Sequence, residues 1–270
     1  APRYVTRLLE RVAGSRLVVD ATQFSFPLTT TFSGLRLAGN TPQAALSLQR
    51  VIVRPRWVSV PRRTLWLDAV DLEQPYLRLH RTEAGTLLWP GLDELVRASA
   101  RRAARSSWRV RTDSLRLTDA VVEFLDEQPP TPFRGVVDHV SIRAGPASMP
   151  AEGRQMSFAL SAELTGLAGN TAPFYCSGWV ELALRNLEAA CRLEPIALEA
   201  FSSYYHGKAE IRVYDVTVRS TSQWVARANE LTGRVQLELS NLREGDLSVH
   251  GRTIVDVQQL TSGGQSSLRG

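Results

Sequence analysis

The sequence predicts a mainly β protein: an elongated antiparallel sheet, rolled into a trough or an open barrel, with a few short helices. Three observations lead there. Apolar and polar residues alternate with a period of two, as in Leu65-Trp66-Leu67-Asp68 and Leu77-Arg78-Leu79-His80. Turn residues interrupt these runs at intervals of about 10 to 20 residues, the punctuation of successive strands. Each run presents one apolar and one polar face, which suits a sheet that is dry on one side and wet on the other.

The elements follow in chain order. Arg3 to Ala13 reads as a short amphipathic helix, with Tyr4, Leu8 and Val12 on one side and Arg3, Arg7 and Arg11 on another, and Gly14 ends it. Strands are expected at Val18–Phe26, Thr31–Leu37, Ala45–Val53, Trp57–Val60, Thr64–Leu72 and Pro75–Arg81. Leu92 to Arg105 carries Leu92, Leu95 and Val96 on one stripe and arginines elsewhere, a helix laid across something apolar. Strands resume at Trp108–Leu117, Ala120–Asp126 and Gly135–Arg143, with Pro129-Pro130-Thr131-Pro132 as a loop, since proline cannot feed a β-ladder.

Gly145 to Gly153 is rich in Pro, Gly and Ser and divides the chain into an N-terminal region, 1–145, and a continuing β region, 146–270, that could be a second subdomain. Strands are expected again at Gln155–Leu164 and Pro173–Leu184, then a short helix at Ile196–Tyr205. Ala209–Arg219, Arg234–Leu242 and Asp246–Gln258 complete the strands, with a helical segment at Gln223–Glu230 and a Ser/Gly-rich end at Thr261–Gly270. A loose repeat relates Thr64–Val70 to Asp113–Val121: each couples an alternating strand to an Asp-containing turn and a second apolar strand.

Composition bounds the function. With 270 residues, 43% hydrophobic and 22% charged, the chain can bury a large core. It contains no apolar run of the roughly 18 to 20 residues that a membrane-spanning helix needs. The net charge is +5, yet Lys208 is the sole lysine among 32 basic residues. An arginine bias of this kind reflects genome composition more readily than nucleic-acid binding, and no nucleic-acid partner is expected. Cys176 and Cys191 are the two cysteines. A disulfide between them would close a loop of about 15 residues and add ~3 kcal/mol; two buried thiols in apolar strands are the alternative.

The catalytic inventory is thin. His80, His139, His206 and His250 lie in separate segments without metal-ligand spacing. No nucleophile elbow, P-loop or dinucleotide-binding glycine motif is present. Asp119, Glu123, Asp126 and Glu127 gather near one hairpin, but Glu123 and Asp126 point to opposite faces of a strand, and a solvated turn is the simpler account. The six tryptophans are too dispersed to form a stacking platform and are expected to pack in the core or at an interface. Neither enzyme activity nor a cofactor or metal is expected.

One stretch resembles a family. Asp71-Leu72-Glu73-Gln74-Pro75-Tyr76-Leu77-Arg78-Leu79-His80-Arg81, then Ala84-Gly85-Thr86-Leu87-Leu88-Trp89-Pro90-Gly91-Leu92, is similar to a pattern of AsmA-like envelope proteins. Leu72, Pro75, Leu77, Leu79, Arg81, Gly85 and Trp89 match, while Leu88 departs from the asparagine that family often has. Asp119-Ala120-Val121-Val122-Glu123-Phe124-Leu125-Asp126 resembles its next unit, and the opening from Tyr4-Val5 through Arg16-Leu17-Val18-Val19 resembles the helix and strand that follow its membrane anchor. The resemblance covers residues 1–145 and continues beyond them only in style.

It implies a non-enzymatic periplasmic domain, tethered to the bacterial inner membrane by an anchor upstream of Ala1, with an apolar trough associated with moving or sensing phospholipid between membranes. Against this, Arg3, Arg7 and Arg11 beside an anchor would favour the cytoplasmic side. The expected groove lining is Leu65, Leu67, Leu77, Leu79, Leu115, Leu117, Phe124, Phe158, Leu160, Val180 and Leu182. The expected ligand is a phospholipid or another acyl chain. The competing expectation is a scaffolding subunit of an envelope assembly, its apolar face closed by side chains or by a protein partner.

Overall fold

A computed structural model describes residues 17–26, 29–37, 46–88, 108–166, 169–204, 216–227, 230–244 and 247–261, with side chains described through residue 240. The expected helices at Arg3–Ala13 and Leu92–Arg105, together with His206 and His250, lie outside what is described of backbone or side chain.

The described chain forms one open sheet of fourteen strands that is not closed into a barrel. The strands are β1 (Leu17–Ser25), β2 (Thr29–Leu37), β3 (Leu46–Ser59), β4 (Thr64–Arg81), β5 (Leu87–Leu88), β6 (Arg109–Asp126) and β7 (Phe133–Gly145). They continue with β8 (Ala147–Met149), β9 (Met156–Thr165), β10 (Thr171–Glu181), β11 (Asn186–Ala197), β12 (Thr217–Arg227), β13 (Glu230–Glu244) and β14 (Leu247–Thr261). The main path runs in chain order from β1 to β14, with the two short strands β5 and β8 attached at its side.

Neighbours pair antiparallel with one exception. β4 and β6 run parallel, in a constant register from Thr64↔Arg109 to Arg81↔Asp126. The sheet is therefore mixed rather than purely antiparallel, and the reason is the long connection from 82 to 108: two parallel neighbours cannot be joined by a tight turn. In this pair Val70, Leu72 and Leu77 lie directly beside Leu115, Leu117 and Val122; the sequence repeat is out of step with the register, since Thr64–Val70 lie beside Arg109–Leu115 rather than beside Asp113–Val121.

Several expected strands merge. Ala45–Val53 and Trp57–Val60 form the single strand β3, with register shifts around Pro55 that absorb its missing N–H. β4 and β6 each run through a residue with positive φ, Gln74 (48°) and Asp119 (56°), and His139 in β7 does the same (49°). The register shifts between β6 and β7 fall at this same level. A line of irregular residues therefore crosses three neighbouring strands and moves the inside/outside alternation by one position.

Two expectations are corrected. The helical segment expected at Gln223–Glu230 is not formed by its described residues: Gln223 to Arg227 belong to β12 and Glu230 opens β13. β11 pairs with this segment from Gln223 to Ala226 and β13 pairs with it from Gln223 to Arg227, and these ladders outweigh the local helix propensity of Ala226 and Arg227. The helix expected at Ile196–Tyr205 begins later, as a 3-10 segment over Leu198–Tyr204, because Ile196 and Ala197 still pair with Val218 and Thr217. The strand before it, β11, was not among the expected elements. Across the Pro/Gly-rich break, β7 pairs directly with β9 and β8 pairs back to β6, so one sheet continues on both sides of it.

The core is shallow. One buried cluster joins Ala120, Val140 and Ala162 to the partly buried Leu117, Val137, Ile142, Leu160 and Phe174. A second joins Ala172, Ile196 and Ala200 to Leu164, Leu193, Phe201 and Val218. In the second cluster the 3-10 segment lies against the sheet where Gly166 leaves room: a Cβ there would collide with Ala200.

Candidate functional site

The apolar face can be followed strand by strand through the register. One row passes through Leu72, Leu117, Ile142, Leu160, Cys176, Cys191, Ser222 and Val235, from β4 to β13. The next runs through Val70, Leu115, Ala144, Phe158, Gly178, Ala189, Trp224 and Gly233. Most of these side chains are half-buried rather than sealed. Among the described residues, the 3-10 segment is what packs over this face.

The expected groove lining divides accordingly. Leu77, Leu79, Leu115, Leu117, Phe124, Phe158, Leu160 and Val180 share the apolar face. Leu65 and Leu67 do not. Leu67 pairs with Thr112, and both alternate with Trp66 and Asp68, which point toward the Leu115 side. The shift at Gln74 is the cause: before it the even positions of β4 face the groove, after it the odd ones do. Leu182 also falls outside, beyond the end of β10, with 54% of its surface exposed.

At one end the apolar face is closed by aromatics around a buried charge. Phe133 lies 6.0 Å from Phe201, 5.1 Å from Tyr204 and 6.3 Å from Phe124, measured between ring centres. Asp126 is fully buried among them. Its Oδ2 accepts a hydrogen bond from the Tyr204 hydroxyl at 2.9 Å and a longer one from Arg81 at 3.4 Å, and its Oδ1 accepts from the Gln128 N–H at 2.9 Å. Burial, reinforced by this bond to the carboxylate, pushes the Tyr204 hydroxyl up from its ordinary value. The solvated-turn expectation thus fails for Asp126: a carboxylate so enclosed persists because each oxygen has a donor.

Glu123 occupies the opposite face, as its spacing from Asp126 predicts. It receives Arg78 at 3.0 Å, and the Tyr76 hydroxyl, then Arg78, hold its carboxyl below the usual range against the cost of burial. His139 lies 3.8 Å from both Asp138 and Glu163, with Asp119 close by. These are surface groups along the line of positive-φ residues.

The other face is polar and holds a basin of about 970 Å³ across β7 and β9 to β13. Ser161, Tyr175, Ser177, Thr221, Gln223 and Gln236 line it with Arg143, Arg192 and Arg234. Beneath it Cys176 and Cys191 face each other across β10 and β11, with Cα atoms 4.0 Å apart and the sulfurs joined.

Two tryptophans read as dispersed meet in space, and a third lies at the same end of the sheet. Trp57 and Trp66 have ring centres 5.9 Å apart, and Trp108 precedes Arg109, which pairs with Thr64 at the same end of the sheet. Chain separation hid this. The parallel pairing of β4 and β6 brings the two segments side by side.

In comparisons with known proteins, no family model and no curated protein matches the chain.

Proposed function

We propose that this chain is a non-enzymatic module that holds an acyl-chain ligand, such as phospholipid, along the apolar face of its sheet. The observation that carries this reading is a broad apolar face, formed by the rows through Leu72 and Val70, with no second sheet packed on it among the described residues. Apolar area of this extent on one sheet calls for an occupant. The resemblance to AsmA-like proteins supports a setting in the bacterial periplasm with a tether to the inner membrane.

A scaffolding role is the second reading, favoured by one feature. The 3-10 segment and the Phe133, Phe201 and Tyr204 rings already close one end of the face with the chain's own side chains. In this case the rest of the face is covered by a protein partner.

Native mass spectrometry of the purified chain, with lipid extraction from the same sample, separates the two. The groove reading predicts a stoichiometric adduct that extraction identifies as lipid and that Leu77→Asp removes. A folded, lipid-free chain of bare mass would overturn it in favour of scaffolding.

A further inference from the structure

We infer that the β3–β4 hairpin tip, with Trp108 and Met149 beside it, is an edge that docks on an anionic lipid bilayer. Two independent observations meet there. The first is charge. From Ala21 to Leu67 the chain has no Asp or Glu but six arginines. Four of these are matched to carboxylates within the sheet: Arg36 to Asp20, Arg50 to Glu73, Arg54 to Asp71, and Arg56 to Asp68 and Asp113. Arg62 and Arg63, at the turn of the hairpin, have no carboxylate partner among the described residues.

The second is exposed apolar surface at the same place. Val60 is 68% exposed, and Trp57, Val58, Trp108 and Met149 also stand open to solvent. Register places Val58, Leu65, Val110 and Met149 in one row and Trp57 and Trp66 in the adjacent row on the opposite face, so the edge is apolar on both sides. β3 runs from its last β2 partner, Val53, on to Ser59. Six residues of strand extend about 20 Å, so the tip projects past the neighbouring edge.

Tryptophans, aliphatic side chains and unmatched arginines on a projecting tip suit a bilayer interface. Indoles settle at the headgroup level, valine and methionine enter the acyl boundary, and guanidinium groups meet lipid phosphates. A nucleic acid would satisfy the arginines but leave Val58, Val60 and Met149 in water.

This inference uses other residues than the groove and can fail separately. The test is sedimentation of the full chain with phosphatidylcholine vesicles, with and without phosphatidylglycerol, read alongside quenching of tryptophan by brominated acyl chains. Binding is expected to the anionic vesicles only, to weaken at high salt, and to fall about thirtyfold in the double variant Arg62→Ala/Arg63→Ala, at the usual contribution of a basic residue near a charged surface. Val60→Asp should abolish the quenching while leaving the melting temperature unchanged, because the side chain is exposed. Leu77→Asp should leave vesicle binding intact even where it strips a groove ligand. Absence of vesicle binding, binding indifferent to Arg62 and Arg63, or preferential capture of nucleic acid by the same tip would overturn the inference.

Discussion

At the scale of single residues, Asp126 organises its neighbourhood. Tyr204→Phe keeps the ring against Phe133 but removes a donor from a buried carboxylate, and should cost about 2 kcal/mol in a denaturant titration. The Tyr204 hydroxyl also gives stability a pH dependence. Its pKa is raised in the folded state, so its contribution is complete below the unfolded value of about 10 and declines as pH rises beyond it. Melting temperatures should fall more steeply above that pH in the native chain than in Tyr204→Phe. Glu123 acts in the opposite sense: its lowered pKa contributes above the unfolded value of about 4.3 and is lost as pH falls through the folded one. Nothing in the sequence marked Asp126 as buried, because its enclosure depends on Tyr204, 78 positions away.

At the scale of elements, alternation was legible wherever a strand kept its phase. The runs Leu77-Arg78-Leu79 and Leu115-Arg116-Leu117 name the apolar face correctly, while Leu65 and Leu67 mislead because Gln74 shifts the phase after them. A residue in the left-handed region is set by the register of three strands together and leaves only a weak local trace. Asp tolerates that conformation better than a branched residue. Asp119→Val should therefore destabilise by about 1–2 kcal/mol, measurable by thermal melting, although it adds β propensity. β11 escaped notice for a different reason: its Glu188, Ala189, Ala190 and Arg192 favour a helix locally, and pairing on both sides decides the outcome. It also carries Cys191, opposite Cys176. Converting both cysteines to serine should lower stability by ~3 kcal/mol, the value for a loop of this length, and a reductant should reproduce the loss in the native chain alone.

For the whole molecule, one layer with a shallow core means that stability is distributed along the path of strands. Its buried clusters sit on β6, β7, β9, β10, β11 and the 3-10 segment. Native-state hydrogen exchange should show the strongest protection in those strands and the weakest in β1 and β14, each of which has a single neighbour. Uniform protection across the path would instead indicate one all-or-none unit. The overall architecture was legible because it repeats one simple rule many times. The polar basin was not, since concavity is a property of many strands curving together and no local run of residues encodes it.

The parallel contact of β4 with β6 bears on how the chain reaches this state. Every other step of the main path closes a hairpin or a shorter connection, the longest being residues 198–216 between β11 and β12, so its partners meet earlier. β4 and β6 are matched at a constant separation of 45 positions, from Thr64↔Arg109 onward, and their ends must be brought together at a larger entropic cost. The β1–β4 and β6–β14 ribbons can each zip from their own turns, with the seam between them closing last. Substitutions at that seam, such as Leu72→Ala, should then speed unfolding while leaving the folding rate nearly unchanged, whereas changes at the β10–β11 hairpin should slow folding.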